Sequence, residues 1–310
     1  MWHYHRQDLK LTEDDKALFV LGDSFVEGQG ALPKEIWEKY NWSEEEFNKV
    51  GSFMDGTTNP EHIIIRTEER NNAFPHVICR DYMKDWTPVN LGFRGNGNKA
   101  GVKALTTCYP DLNFHLPKEK IVIFFVGQFC RYDFIDKQYD SHGMWHTIWP
   151  HEDPGSDNLG EKNLWNGYAT EIYDDLTGIL NFIHLVSELE TWCKLHDAKL
   201  VLINSFEYYF NKEHFIKTTQ NKPWARLLVD RFPWDKVMPF KDGKKAMVDE
   251  LLAGEDSLHL NKGEHQFYFW AKTFEKGTPN GYFTPCAHPT IKGHKLFAKI
   301  IYEYLKNNVL

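Results

Sequence analysis

The sequence is poor in cysteine, in long apolar runs and in positive charge. Its five cysteines in 310 residues are widely spaced, odd in number and free of Cys-x-x-Cys pairs, which argues against a disulfide framework or a cysteine-based zinc site. No apolar signal core opens the chain, and no stretch approaches the roughly 18 apolar residues of a membrane span. A cytoplasmic protein is therefore expected. The net charge of −8 argues against binding to nucleic acid or to anionic membranes.

What the sequence does contain is enough apolar material for a sizeable core. Hydrophobic residues make up 42% and aromatic residues 15% of the chain, and there is no internal repeat, low-complexity tract or linker-like run. We therefore expect one domain over residues 1–310. Three aromatic or irregular stretches, at about 31–70, 131–170 and 205–284, are expected to be insertions at the loop ends of the sheet, where specificity usually resides.

Four short apolar runs, partly β-branched, are typical of buried parallel strands. They lie at 18–21, 88–91, 121–126 and 200–203. Segments with helical spacing of apolar residues lie between them, at 74–82 and 172–192, and a last one covers 291–305. This alternation predicts an α/β fold with a parallel sheet.

Ser24 directly follows the first of these runs, in Gly22-Asp23-Ser24. Open α/β sheets place their active sites at the carboxyl ends of the strands, so Ser24 is a candidate nucleophile. The alternative is an ordinary strand exit in which Asp23 or Ser24 caps a helix.

Two further positions could complete a serine-based site, which needs a base and oxyanion donors. His288 stands just before the terminal helix, with Pro289 as its expected first residue, and is a candidate base. Gly95 follows the second strand in a glycine-rich turn, where its N–H could point at a ligand.

The order of these positions resembles that of the SGNH hydrolases, also called GDSL-like esterases and lipases. That family carries its serine in Gly-Asp-Ser, an oxyanion glycine after strand two and a histidine before the final helix, as do Ser24, Gly95 and His288 here. The family's His-Pro-x-x-x-Gly-His-x-x-x-Ala setting is also matched by Pro289, Gly293, His294 and Ala298. The resemblance spans 18–305 apart from the insertions. It implies a flavodoxin-like three-layer α/β/α sandwich and ester hydrolysis through an acyl-serine.

The third conserved block of that family departs from its pattern in this chain. The family reads Gly-x-Asn-Asp, and its asparagine is a third oxyanion donor, whereas residues 127–131 read Gly-Gln-Phe-Cys-Arg. Phe129 has no side-chain donor, so Gln128 or Arg131 would have to replace it.

The catalytic acid also departs, because the family's aspartate three residues before the histidine is Pro285 here. Either Ser24 and His288 act as a dyad, with a backbone carbonyl orienting the imidazole, or an acid comes from another segment. Asp256 and His259 have the missing Asp-x-x-His spacing, so His259 is a rival base and Asp256 a possible acid. The glycine and alanine after His259 miss the family's spacing, which favours His288.

These features predict a serine esterase. Aromatic residues in the insertions suit stacking on sugar rings, so the expected substrate is a glycan carrying O-acetyl or other short acyl groups. The altered blocks leave open a catalytically weak or inactive glycan-binding or structural virion module, and also acyl transfer to a sugar alcohol. The insertions and altered third block resemble members encoded by bacteriophages, which implies a host-cytoplasm or virion setting.

Four polar residues beside the candidate site are predicted to contact substrate: Asp23, Asn96, Gln128 and Arg131. The histidines of the 131–170 insertion have no strict ligand spacing, so no metal site is predicted there. No cofactor is expected. The predicted partner is a small-molecule or glycan ester, without nucleic acid or membrane, and the oligomeric state is left open.

Overall fold

The computed structural model describes most of the chain. The described residues are 9–33, 35–36, 60–93, 95, 97–108, 112–135, 145–148, 159–205, 209–241, 244–253, 281–284 and 288–310.

A four-stranded, all-parallel sheet forms the centre of the fold, in the spatial order β2-β1-β3-β6. Its strands are β1 (Lys16–Gly22), β2 (Thr87–Gly92), β3 (Glu119–Val126) and β6 (Ala198–Asn204). Each contains one of the four predicted apolar runs. The order is flavodoxin-like, with the topological switch point between β1 and β3. The carboxyl ends of those two strands therefore border the crevice in which such sheets bind ligands.

A separate antiparallel pair, β4 (Tyr132–Ile135) and β5 (Trp145–Ile148), follows β3. The α-helices of the described residues are α1 (Ser24–Glu27), α2 (Pro60–Asn72), α3 (Phe74–Asp81), α4 (Asn98–Lys103), α5 (Leu159–Gly167), α6 (Asp175–Leu195), α7 (Lys212–Thr218), α8 (Pro223–Arg231), α9 (Met247–Ala253) and α10 (Ile291–Asn308). Short π-helical stretches follow α4 and α5, at Ala104–Cys108 and Tyr168–Ile172.

Helices cover both faces of the sheet, because successive strand residues point to opposite sides. In β1, Leu18 and Val20 pack on the first face, whereas Phe19 and Leu21 pack on the second, and all four are fully buried. The first face is covered by α3, α9 and α10, and the second by α4, α6, α7 and α8. The predicted three-layer α/β/α sandwich is confirmed.

Two parts of the chain differ from the sequence-based expectation. Residues 205–284, expected to be irregular, contribute α7, α8 and α9, and Val237 pairs with Leu202 at the edge of the sheet. The helix predicted over 172–192 begins at Asp175, because the Asp174 carboxylate accepts the Thr177 N–H at 2.6 Å and caps it. In the described part of the chain, no helix combines the length and hydropathy that a membrane span requires.

Candidate active site

Ser24 is the first residue of α1, immediately beyond the carboxyl end of β1. The preceding Asp23 caps this helix, since its Oδ1 accepts the Phe25 N–H at 3.0 Å. Only 8% of Ser24 is exposed. The backbone N–H of a first helical residue has no intrahelical acceptor, so the Ser24 N–H can serve a ligand at this turn.

The structure brings His288 to this serine. The His288 Nε2 lies 2.8 Å from the Ser24 Oγ, although 264 positions separate the two residues in sequence. This is an ordinary hydrogen-bond length and lies within the reach that a general base requires. His288 precedes α10, as predicted.

The main chain of His288 is held from both sides by the buried Thr284. The Thr284 N–H donates to the His288 carbonyl at 2.8 Å, and the His288 N–H donates to the Thr284 Oγ1 at 3.2 Å. Gly30 allows this segment to approach α1, because a Cβ there would lie 2.7 Å from the Thr284 Cγ2. The imidazole ring also lies 5.5 Å from the Phe25 ring, centroid to centroid.

The expectation that Pro289 starts the final helix is wrong. Pro289 pairs with Phe283 in an isolated antiparallel bridge. The helix α10 begins at Ile291, and Thr290 is its cap, with its Oγ1 accepting the Gly293 N–H. This bridge places Pro289, the residue after His288, beside Phe283.

A cluster of buried polar side chains connects α1 to the elements packed against it. The Arg70 guanidinium lies 3.8 Å from the Glu27 Oε1 and donates to the Asn90 carbonyl. The Asn90 side chain in turn donates to the Val26 carbonyl at 2.7 Å. Burial lowers the pKa of Arg70, an effect that Glu27 opposes. The cluster ties α1 to α2 and to β2 and thereby holds the turn that carries Ser24 in place.

The candidate oxyanion glycine, Gly95, lies beyond the carboxyl end of β2. It is exposed, has a φ of +68°, and has no described atom within 4 Å of the position that a Cβ would take. Open space therefore faces this residue on that side. Asn96, predicted to contact substrate, lies outside the described residues.

Asp23 and Arg131, both predicted to contact substrate, form a buried ion pair with each other. The Arg131 Nη1 lies 3.3 Å from the Asp23 Oδ2, and each side chain is 4% exposed. The Arg131 Nε also donates to the Gln128 Oε1 at 3.0 Å. Burial raises the pKa of Asp23, and Arg131 opposes that rise. Because both Asp23 oxygens accept hydrogen bonds within the protein, its position does not favour the predicted contact with substrate.

Phe129, at the departing third block, is a core residue of the second face. Its ring lies 4.7 Å from that of Phe182, and 9% of the residue is exposed. The loop after β3 is held instead by Asn98, whose Oδ1 accepts the Gly127 N–H at 2.8 Å and whose Nδ2 donates to the Gly127 carbonyl at 3.1 Å. Sequence reasoning missed Asn98, since its partner lies 29 positions away.

Comparison with known proteins gives no match for this chain, either to a protein-family model or to a curated protein. The resemblance to the SGNH hydrolases therefore depends on the sequence motifs around Ser24, Gly95 and His288 and on their order.

The structure does not describe every predicted site residue. The rival base His259 and the possible acid Asp256 lie outside the described residues, as does Pro285. Across the described ranges, no group of three or more histidine, cysteine, aspartate or glutamate side chains is placed to hold a metal ion. The described chemistry at this edge of the sheet is thus a hydroxyl hydrogen-bonded to an imidazole nitrogen, which is the arrangement of an activated nucleophile.

Proposed function

We propose that this protein is a serine hydrolase that cleaves a carboxylic ester through an acyl-Ser24 intermediate, in the manner of the SGNH hydrolases. The observation that carries the proposal is the 2.8 Å hydrogen bond between the Ser24 Oγ and the His288 Nε2. Its place beside the switch point of a parallel sheet supports the proposal, because such sheets bind ligands there.

In the first half-reaction, the Ser24 Oγ attacks the ester carbonyl carbon while its proton passes to the His288 Nε2. That transfer requires the imidazole proton to reside on Nδ1 beforehand. The carbonyl π electrons move to oxygen, and the backbone N–H groups of Ser24 and Gly95 stabilise the oxyanion. The tetrahedral intermediate then expels the alcohol oxygen, which takes the proton from His288.

In the second half-reaction, water replaces the alcohol. His288 accepts a proton from the water as its oxygen attacks the acyl carbon, and then returns the proton to Ser24 as the Ser24 Oγ leaves. The products are a carboxylic acid and the original enzyme.

An acylated glycan is the substrate class that the surroundings favour. A cleft of about 270 Å³ lies beside Arg131, and its lining includes Tyr132, Lys99 and Asn181. Tyr132 is 37% exposed, so part of an aromatic surface is accessible beside hydrogen-bonding groups. Aromatic surface combined with polar side chains is suited to a sugar ring. We therefore propose that the alcohol portion of the ester belongs to a carbohydrate.

The test compares hydrolysis of p-nitrophenyl acetate by the wild type, Ser24→Ala and His288→Ala. Ser187→Ala is the matched control, because Ser187 lies on α6 and its hydroxyl donates to the Ile183 carbonyl of the same helix. We expect kcat to fall by about 10³-fold or more in both site variants and to stay unchanged in the control, since nucleophile and base act as a unit. A fluorophosphonate probe should label the peptide that contains Ser24.

Equal, negligible rates in the wild type and Ser24→Ala would refute the hydrolase and favour the inactive glycan-binding or virion module. If the reaction depends on Ser24 and forms more product when sugar alcohols are added, the result would instead indicate acyl transfer.

A further inference from the structure

Arg131, the residue before β4, and Asp133, within β4, reach the two loops that carry the candidate oxyanion donors. Arg131 pairs with Asp23, the neighbour of Ser24. Asp133 accepts the N–H of Gly97, two residues beyond Gly95, at 2.7 Å. We propose that Arg131 and Asp133 form a clamp that sets the spacing between the N–H groups of Ser24 and Gly95, which makes both of them positioning residues. This inference rests on the proposed hydrolase function.

Asp133, the first member of the clamp, is 1% exposed, and both of its carboxylate oxygens accept hydrogen bonds. Its Oδ1 accepts hydrogen bonds from the Gly97 N–H and, at 2.6 Å, from the Thr147 hydroxyl. Its Oδ2 accepts the Ala100 N–H at 3.0 Å. Burial raises the pKa of Asp133, and these three donors oppose that rise. One carboxylate thus fixes the first turn of α4, the loop before it and the neighbouring strand β5.

Gly97 allows the carboxylate to come this close. A Cβ on Gly97 would lie 2.8 Å from the Arg131 Cβ and 2.9 Å from the Asp133 Oδ1. Arg131 and Asp133 therefore both pack closely against Gly97, two residues from the candidate oxyanion glycine.

The Arg131 arm holds the other loop. Both members of the Asp23–Arg131 pair are buried, and separating a buried pair leaves an uncompensated charge, which is strongly destabilising. Arg131 directly precedes β4 and Asp133 is the second residue of that strand, so the two side chains reach both loops from one short segment. The Asp23 turn and the Gly97 loop are consequently held by one short piece of chain.

The spacing matters because oxyanion donors act only when they lie about 2.7–3.1 Å from the developing charge. Phe129 supplies no side-chain donor at the departing block, and the two donors that we assign to the hole are backbone N–H groups from different loops. Neither loop can set the distance to the other by itself. The clamp provides that connection from a segment that the sequence places in an insertion.

The test measures kcat and KM for p-nitrophenyl acetate in Asp133→Asn, in which an amide NH₂ faces a backbone N–H and breaks the set of three bonds. Displacing one oxyanion donor should lower kcat by about 10- to 100-fold, below the loss for deleting a donor, with KM changed by less than about 2-fold. The control is Glu188→Gln. Glu188 anchors the other end of α4 through Lys103, at 2.7 Å, so its loss should leave kcat unchanged.

A second variant, Thr147→Val, removes one donor to Asp133 without touching either loop. It should lower kcat by about 3-fold, and it decides the question if thermal unfolding shows that Asp133→Asn does not fold. An unchanged kcat in the folded variant overturns the clamp, and so does an equal fall in Glu188→Gln, which would indicate general loosening of α4. A wild type without any Ser24-dependent rate overturns the hydrolase and the clamp together, whereas a Ser24-dependent rate with unaffected clamp variants overturns the clamp alone.

Discussion

His294, six positions after the candidate base, should make the stability of this protein fall at acid pH. It is fully buried, and its Nδ1 accepts the Phe74 N–H at 3.2 Å. Burial, with a smaller effect from His288, lowers its pKa from 6.5 to about 3. The folded protein therefore keeps this imidazole neutral at pH values where an unfolded chain protonates it.

The sign follows from proton binding in the two states. Between pH 6.5 and about 3, the unfolded chain binds one proton that the folded chain does not, so the free energy of unfolding decreases as pH falls. One pKa unit corresponds to 1.36 kcal/mol, so this group lowers stability by about 3 kcal/mol at pH 4.5 and by about 4 kcal/mol near pH 3.

Urea unfolding of the wild type and His294→Asn at pH 7.5 and pH 4.5 measures this contribution. Asparagine keeps an acceptor for the Phe74 N–H but does not titrate, so the variant should lose about 3 kcal/mol less than the wild type between the two pH values. His184→Asn, at an exposed position of α6, is the control and should behave like the wild type. If His294→Asn loses as much stability on acidification as the wild type, the reasoning is refuted.

Two other substitutions test the packing that supports the site. Gly92→Ala would place a Cβ 2.3 Å from the Glu27 backbone nitrogen, so we expect α1 to shift, the free energy of unfolding to fall by about 1–3 kcal/mol and kcat to fall with it. The control is Gly167→Ala, because no described atom lies within 4 Å of the position that a Cβ on Gly167 would take. It should change neither the free energy of unfolding, measured in urea, nor kcat, measured by ester hydrolysis. Phe129→Ala should destabilise the fold by about 3–5 kcal/mol in urea unfolding through the cavity it leaves. A loss below about 1 kcal/mol would show that this ring does not pack in the core as described.

The sheet could be predicted because strands buried on both faces are continuous apolar runs. Each of the four runs lies inside an observed strand, with up to two more residues at each end. The helix ends were less predictable, because local capping decides them. Asp174 caps α6, so that helix begins three residues after Ile172, which is 57% exposed. Thr290 caps α10, so that helix begins at Ile291 and not at the expected Pro289.

The supporting residues of the site could not be predicted in the same way. Ser24 and His288 stand beside elements with clear patterns, whereas Asp133 and Asn98 act through partners about 30 positions distant in sequence. A single aspartate within an aromatic insertion gives no periodic signal. Its importance depends on which backbone N–H groups the tertiary structure brings to it.

The 264 positions between Ser24 and His288 also have a consequence for biosynthesis. A ribosome that adds 5–20 residues per second needs roughly 15–50 s to pass from the serine codon to the histidine codon. Throughout that interval the nascent chain contains Ser24 without its hydrogen-bond partner His288. The hydrogen-bonded pair can therefore form only after His288 has been synthesised, and a chain released before that point would contain Ser24 without His288.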